Sequence, residues 1–202
     1  MSVKITRRNF IRAVGAGAVT GVLATSGLSK EVSAEPQVEH HAILFDGLAC
    51  TGCELCQYGC KVRNNLPLQF ETFLTPSTYV YVSVGAREGK EVKVRYSCMH
   101  CHDAPCKNVC PVSAIKRSRQ GLVHIDPNHC IGCEYCVAAC PYGVPKFDHE
   151  EGVATKCTGC YDLVEKGDKP ACVQACPWNA LFFGKREDMV KKARDIQAEN
   201  PD

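Results

Sequence analysis

The chain has 202 residues, 45% of them hydrophobic but only 7% aromatic, with a formal charge of +2. That length holds one large or two small domains, and so few aromatics exclude a large aromatic core. Residues 1–34 contain five Lys/Arg against one acid, which leaves 19 bases and 21 acids, a net of −2, in the rest; a nucleic-acid partner would need a basic domain.

Residues 1–34 read as an export signal. Thr6-Arg7-Arg8-Asn9-Phe10-Ile11 is a twin-arginine motif, an address read by a receptor. An apolar Gly/Ala-rich stretch follows from Ala13 to Leu28, then Lys30 and a small-residue cleavage site, Val32-Ser33-Ala34. A membrane anchor is the competing reading. The stretch suits it poorly, being short for a span and weakened by Gly15, Gly17, Gly21 and Gly27. No later apolar run is long enough to cross a bilayer, so the mature chain is expected to be soluble and periplasmic. The twin-arginine route carries folded proteins, so metal centres assembled in the cytoplasm can cross intact.

Sixteen cysteines make up about 8% of the chain, near the level at which cysteine chemistry sets the fold. All fall into four quartets. A strand-like segment, His41-Ala-Ile-Leu-Phe-Asp46, leads into the first, Cys50-x2-Cys53-x2-Cys56-x3-Cys60. A cysteine-free stretch follows, in which Thr78–Val84 and Lys90–Tyr96 alternate in polarity around Gly85 and Gly89, predicting a hairpin with a longer loop. The second quartet is Cys98-x2-Cys101-x4-Cys106-x3-Cys110-Pro111, and the third is Cys130-x2-Cys133-x2-Cys136-x3-Cys140-Pro141. Ala114-Ile115 and Leu122–Ile125 are short strands between them. The fourth, Cys157-x2-Cys160-x11-Cys172-x3-Cys176-Pro177, is interrupted by a surface loop, Lys166-Gly-Asp-Lys-Pro170. Residues 187–199 predict a helix with Met189, Val190, Ala193 and Ile196 on one face.

The C-x2-C-x2-C-x3-C-P run is that of bacterial ferredoxins, where three thiolates hold one [4Fe-4S] cluster and the fourth Cys serves its neighbour. In the central region, Cys110-Pro-Val-Ser-Ala-Ile115 leaves one quartet and Leu122–Asp126 leads into the next. The fourth quartet leaves in the same style, Cys176-Pro-Trp-Asn-Ala-Leu181, and the only unused matching strand is Ala42–Asp46. The expected fold is therefore α+β, with two ferredoxin-like two-cluster units. The central unit (98–146) is inserted into an outer one split into 35–60 and 157–186. A hairpin insertion (61–97), a linker (147–156) and a C-terminal helix and tail (187–202) complete it. Cross-ligation then gives four sets. One is Cys50, Cys53, Cys56 and Cys176, and its neighbour is Cys157, Cys160, Cys172 and Cys60. The central pair is Cys98, Cys101, Cys106 and Cys140, beside Cys130, Cys133, Cys136 and Cys110.

Zinc, disulfides and haem compete for the same residues. Structural zinc uses two separated pairs and gives no role to a third Cys at x2 or a fourth before Pro. Disulfides would not need three sulfurs brought together. Cys98-Met-His-Cys101-His102 matches the C-x-x-C-H haem attachment, but haem accounts for two cysteines and the quartet for four. The histidines form no helix-spaced metal pattern, which leaves them surface or supporting roles. Tyr58, Tyr135, Tyr142 and Trp178 stand where they can keep water off the clusters. Lys61, Arg63, Lys107, Lys116, Arg117 and Arg119 are placed to offset the negative charge of thiolate-bound clusters and so shift their potentials.

Met99-His-Cys-His-Asp-Ala-Pro-Cys106, Cys140-Pro-Tyr-Gly-Val-Pro-Lys146 and Pro170-Ala-Cys-Val-Gln-Ala-Cys-Pro177, with the quartet spacing, resemble the four-cluster iron–sulfur subunits of dimethyl-sulfoxide-reductase-type respiratory complexes. The likeness spans roughly residues 40–185. The twin-arginine signal is similar to that of the exported subunits of periplasmic hydrogenase and formate-dependent nitrite reduction. The resemblance implies the same crossed ligation. It also implies a role passing electrons between a quinone-reactive membrane subunit and a catalytic (molybdenum or tungsten enzyme, hydrogenase) or multihaem cytochrome subunit. Hydrogenase-type members often carry a C-terminal anchor, and this chain ends at Asp202 without one. Some members replace a third-quartet Cys by Trp and hold a [3Fe-4S] cluster. Here Cys133 and its companions are all present, so four [4Fe-4S] clusters are expected. No quartet is short of a ligand, so no iron is left open to substrate and the chain is expected to be a wire and not a catalyst. A free-standing periplasmic ferredoxin is the alternative within the class, and a zinc- or disulfide-stapled interaction module the alternative outside it.

Overall fold

The computed structural model describes residues 38–200. The expected export signal lies outside them. The elements in chain order are β1 (His41–Phe45), α1 (Leu55–Arg63), β2 (Val80–Arg87), β3 (Lys90–Ser97), α2 (Pro105–Asn108), β4 (Ile115–Arg117), β5 (Val123–Ile125) and α3 (Tyr135–Ala139). Then come β6 (Lys146–Asp148), β7 (Val153–Thr155), α4 (Tyr161–Val164), α5 (Ala171–Gln174), β8 (Leu181–Lys185) and α6 (Arg186–Glu199). Short strands and short helices make a small α+β architecture. Among the described residues no helix is long and apolar enough to cross a membrane.

Among the described residues every sheet is a two-stranded antiparallel ribbon. The strand before the first quartet pairs with the strand after the fourth, from His41 opposite Lys185 to Phe45 opposite Leu181. The strands flanking the second and third quartets pair with each other, Ile115 opposite Ile125. Isolated ribbons are marginal in water, so their apolar faces must be covered. Two separate cores do this, and each contains thiols from two quartets. One gathers Cys56, Cys60 and Cys172 with Val80, Val82, Val173 and Leu181. The other gathers Cys106 and Cys136 with Ala104, Ile115, Val123 and Ala154.

Helix α1 is crossed closely by α5. The contact depends on Gly59, where a Cβ would stand 2.7 Å from the Cβ of Ala175. A glycine inside a helix is unfavourable by itself; here it lets the first and fourth quartets approach.

The β2–β3 hairpin is tighter than its sequence predicts. Its loop is only Glu88-Gly89, both with positive φ (53° and 78°), the signature of a type I′ connection. Gly85, expected to bound a longer loop, lies within β2 opposite Val92. The stacked pair Tyr81 and Tyr96, with centroids 4.8 Å apart, supports that register. The segment 147–156, expected as a linker, instead contributes to a β6–β7 hairpin. Asp148 closes its turn by accepting the backbone N–H groups of Glu150 and Glu151. The alternation there spans only three residues on each side, too short to register as a strand signal. Helix α6 rests Met189, Val190, Ala193 and Ile196, all half-buried, on the β1–β8 side, and Lys192 Nζ lies 4.2 Å from the Phe182 ring centroid.

Candidate metal centres

In three of the quartets the residue before the second cysteine is a glycine with left-handed backbone: Gly52 (φ 73°), Gly132 (69°) and Gly159 (69°). That conformation costs glycine nothing, and it curls each C-x2-C turn so that its backbone N–H groups face the sulfur. Gly52 N–H stands 3.4 Å from Cys50 Sγ, and Gly159 N–H stands 3.4 Å from Cys157 Sγ. In the second quartet the equivalent residue is His100, also left-handed (φ 45°), whose N–H lies 3.4 Å from Cys98 Sγ.

The thiols gather in fours. Cys50, Cys53, Cys56 and Cys176 line one cavity of about 330 Å³ together with Phe45, Leu55, Val82 and Trp178. Cys98, Cys101, Cys106 and Cys140 line a second, of about 360 Å³, walled by Val123, Val144, Pro145 and Tyr142. Cys110, Cys130, Cys133 and Cys136 line a third, of about 330 Å³, with Ile115, Ile125, Ile131 and Ala154. The remaining four, Cys60, Cys157, Cys160 and Cys172, are all buried. Burial pushes the Cys60 thiol up, and the proximity of Cys157, Cys172 and Cys160 pushes it further the same way.

The β6–β7 hairpin is part of the third site. Ala154 N–H reaches Cys130 Sγ at 3.4 Å, and the Gly152 carbonyl approaches Gly132 too closely to admit a side chain there. Exposure differs along the molecule. Cys53 and Cys133 are exposed, whereas every thiol of the fourth set is buried. Trp178 and Tyr142 line cavities as expected, each more than half exposed; Tyr58 and Tyr135 line none of these cavities.

The donor chemistry fits [4Fe-4S] clusters. Burial raises Cys56 and Cys136 each to about 11 and Cys157 to about 12, so four thiolates in one apolar cavity require a cationic core to hold them. None of the sixteen cysteines is in a disulfide. Structural zinc takes two separated Cys pairs, whereas the first cavity takes three thiols from one run, Cys50, Cys53 and Cys56, and a fourth from far along the chain, Cys176. The haem-like pattern fares no better, because Cys98 and Cys101 share a cavity with Cys106 and Cys140. His102 is exposed and its ring lies tilted against that of His40, with centroids 4.5 Å apart.

Four of the six basic residues singled out from the sequence make scaffold contacts. Lys61 is buried, and its Nζ donates to the Ser77 carbonyl (2.9 Å) and Thr78 Oγ1 (2.8 Å). Arg63 pairs with Asp162, and Lys116 pairs with Asp126 at 2.6 Å. Arg117 braces the second quartet's turn through the carbonyls of Cys101 (2.9 Å) and His102 (2.7 Å). The cations that reach sulfur are two others. Arg95, on β3, donates to Ser97 Oγ at 2.8 Å and lies 3.5 Å from Cys172 Sγ. Lys156 is buried and lies 3.5 Å from Cys98 Sγ. No spacing rule marks either one; Lys156 could only have been suspected from its place beside Cys157.

Residues 92–186 match the 4Fe-4S dicluster domain. The B subunit of the anaerobic dimethyl sulfoxide reductase of Escherichia coli (strain K12) is 37% identical over 174 residues, covering 80% of this chain and 81% of that subunit. The thiosulfate reductase electron transfer subunit PhsB of Salmonella typhi is 41% identical over 155 residues, covering 73% and 77%. The chain belongs to the iron–sulfur electron-transfer subunits of respiratory oxidoreductases. The hydrogenase-2 operon protein HybA of Escherichia coli O157:H7 is 35% identical over 222 residues, covering 98% of this chain and 68% of that protein. Members of this family carry electrons for oxidoreductase complexes and are not the catalytic subunits. The sixteen cysteines in their ferredoxin-like motifs fit four [4Fe-4S] clusters.

Proposed function

We propose that this chain is exported by the twin-arginine route and works in the periplasm as a four-site electron relay. It runs between a quinone-reactive membrane subunit and a redox subunit, which is a molybdenum or tungsten enzyme, a hydrogenase or a multihaem cytochrome. A bound [4Fe-4S] cluster supplies a one-electron couple. The protein's part is to hold four such groups in order, keep water off the inner ones and expose the outer ones. Cys50, Cys53, Cys56 and Cys176 ligate one cluster, and Cys157, Cys160, Cys172 and Cys60 its neighbour in an outer, split ferredoxin-like unit. Cys98, Cys101, Cys106 and Cys140 ligate the third, and Cys130, Cys133, Cys136 and Cys110 the fourth, in the inserted unit.

The observation that carries this reading is the company each distant cysteine keeps. Cys176 lines the cavity of the first quartet and Cys140 that of the second, each brought there from another quartet. Burial and contact support one order for the relay. Cys53 and Cys133 face solvent in two different sites, the fourth set is buried, and Cys157 and Cys98 meet through shared neighbours. The proposed sequence of sites is first quartet, fourth, second, third.

Iron, acid-labile sulfide and zinc on anaerobically purified full-length protein test this. About sixteen iron and sixteen sulfide per chain are expected. About four zinc without sulfide would replace the relay by a structural module.

A further inference from the structure

Where the Cys98 and Cys157 turns meet, each sends a donor into the other. His100, two residues after Cys98, is held with its Nδ1 accepting the Val123 N–H at 2.9 Å. A backbone N–H can only donate, so Nδ1 is the bare nitrogen of the ring and Nε2 bears the hydrogen. Nε2 lies 3.7 Å from Cys157 Sγ, 57 residues along the chain. In the opposite sense Lys156, one residue before Cys157, lies with Nζ 3.5 Å from Cys98 Sγ, and is steadied by the carbonyls of Val123 and of Cys157 (3.0 Å). Both polar groups of Val123's backbone are thus committed to the pair.

Two backbone features show that the arrangement is built. His100 occupies a left-handed position that the other three turns give to glycine, a conformation unfavourable for a side-chain-bearing residue. Gly159 in the facing turn has no room for a Cβ, which would stand 3.0 Å from His100 Cε1 and from Leu122 Cδ2. One turn accepts strain to project an imidazole, and the glycine that the other turn's left-handed backbone calls for lies against that ring.

We propose that His100 and Lys156 form a crossed pair of N–H···S donors that ties the outer unit to the inserted one and raises the reduction potentials of the two inner sites. They are positioning residues. This rests on the relay reading above. A donor to a thiolate stabilises the more negative, reduced form, so hydrogen bonding to sulfur raises a cluster's potential.

The test is an EPR-monitored redox titration of the full chain with its clusters, beside iron and sulfide analysis. His100→Leu should lower one couple by about 59 mV, a tenfold fall in its reduced-to-oxidised ratio for one electron. His100→Gln, which keeps an N–H, should restore a good part of it. Lys156→Met should lower a different couple most. Full iron with all four potentials unchanged in both His100→Leu and Lys156→Met would overturn the pair while leaving the relay intact; absent sulfide in the unaltered protein would overturn the relay itself. Should His100→Leu fail to hold iron, the unaltered chain labelled with ¹⁵N-histidine decides. Pulsed EPR of its partly reduced form should show a ¹⁵N coupling to an inner cluster, and its absence would overturn the proposal.

Discussion

Lys156 Nζ lies 3.5 Å from Cys98 Sγ, a buried contact between residues 58 apart that joins one quartet's turn to another's. It places a basic side chain against the thiols of the second quartet. Arg95 does the same for the fourth set from another element, 77 residues from Cys172. Two cations beside buried or half-buried thiols, and exposed thiols elsewhere, Cys53 and Cys133, give the sites unequal environments. Unequal potentials are the expected consequence.

Cys60 separates crossed from uncrossed ligation. It sits on α1 beside the first quartet yet is surrounded by Cys157, Cys172 and Cys160. Cys60→Ala should lower iron from about sixteen to about twelve per chain and remove the EPR signature of the buried fourth-set site. Loss of the first-quartet signature instead would reject the assignment.

Arg95→Gln should lower the potential of the fourth-set site, because removing a nearby positive charge disfavours the reduced, more negative form. The guanidinium stays charged among these thiols, which pull its pKa up against the opposing effect of burial. A redox titration showing no couple displaced would reject that role.

Lys61→Met should destabilise the fold. The substitution leaves the Ser77 carbonyl and Thr78 Oγ1 without their donor in a buried place, at a cost of about 1–3 kcal/mol. A thermal midpoint equal to that of the unaltered protein would count against it.

Gly59→Ala should part α1 from α5. The new Cβ would lie 2.7 Å from Ala175 Cβ and 3.2 Å from the Ala171 carbonyl oxygen. Overpacking of this kind costs about 1–3 kcal/mol. Faster loss of visible cluster absorbance on warming is the readout.

Asp126 gives a pH dependence. Lys116 holds its carboxyl down to about 2, helped by His129 and the Asn128 N–H. A depressed carboxylate contributes stability above its ordinary value of about 3.9 and loses it as the pH falls towards about 2. Asp126→Asn should therefore lower the thermal midpoint at neutral pH, where the unaltered carboxylate is fully charged. A midpoint equal to that of the unaltered protein would mean that the carboxylate's charge does not stabilise the fold.

The cysteine spacings made much of the chemistry legible. A C-x2-C turn is local, and its geometry follows from glycines such as Gly52 and Gly132 whatever lies elsewhere. The flanking strands Ala42–Asp46 and Leu181–Phe183 carried longer-range information, since matching apolar segments at the chain's two ends need each other's faces; β1 and β8 are that pair. The β6–β7 hairpin escaped notice because three residues per strand carry too little pattern, and its support comes from the third quartet it covers. The sequence alone also missed the cations that stand closest to sulfur, Arg95 and Lys156. Lys61 projects about 100° round the helix from Cys60 and its polar end goes to Ser77, while Arg63 reaches Asp162; both act on the thiols only through space, Lys61 with Cys60 and Arg63 with Cys160.

By itself, then, the sequence determined the number and kind of thiol sets and the family to which they belong, because ligand spacing is a property of short chain segments. Only the tertiary structure decided which side chains stand between the sets. His100, Lys156 and Arg95 act on sulfurs 57 to 77 residues distant. Contacts of that range arise from how distant segments of the chain pack together, and no local periodicity encodes them.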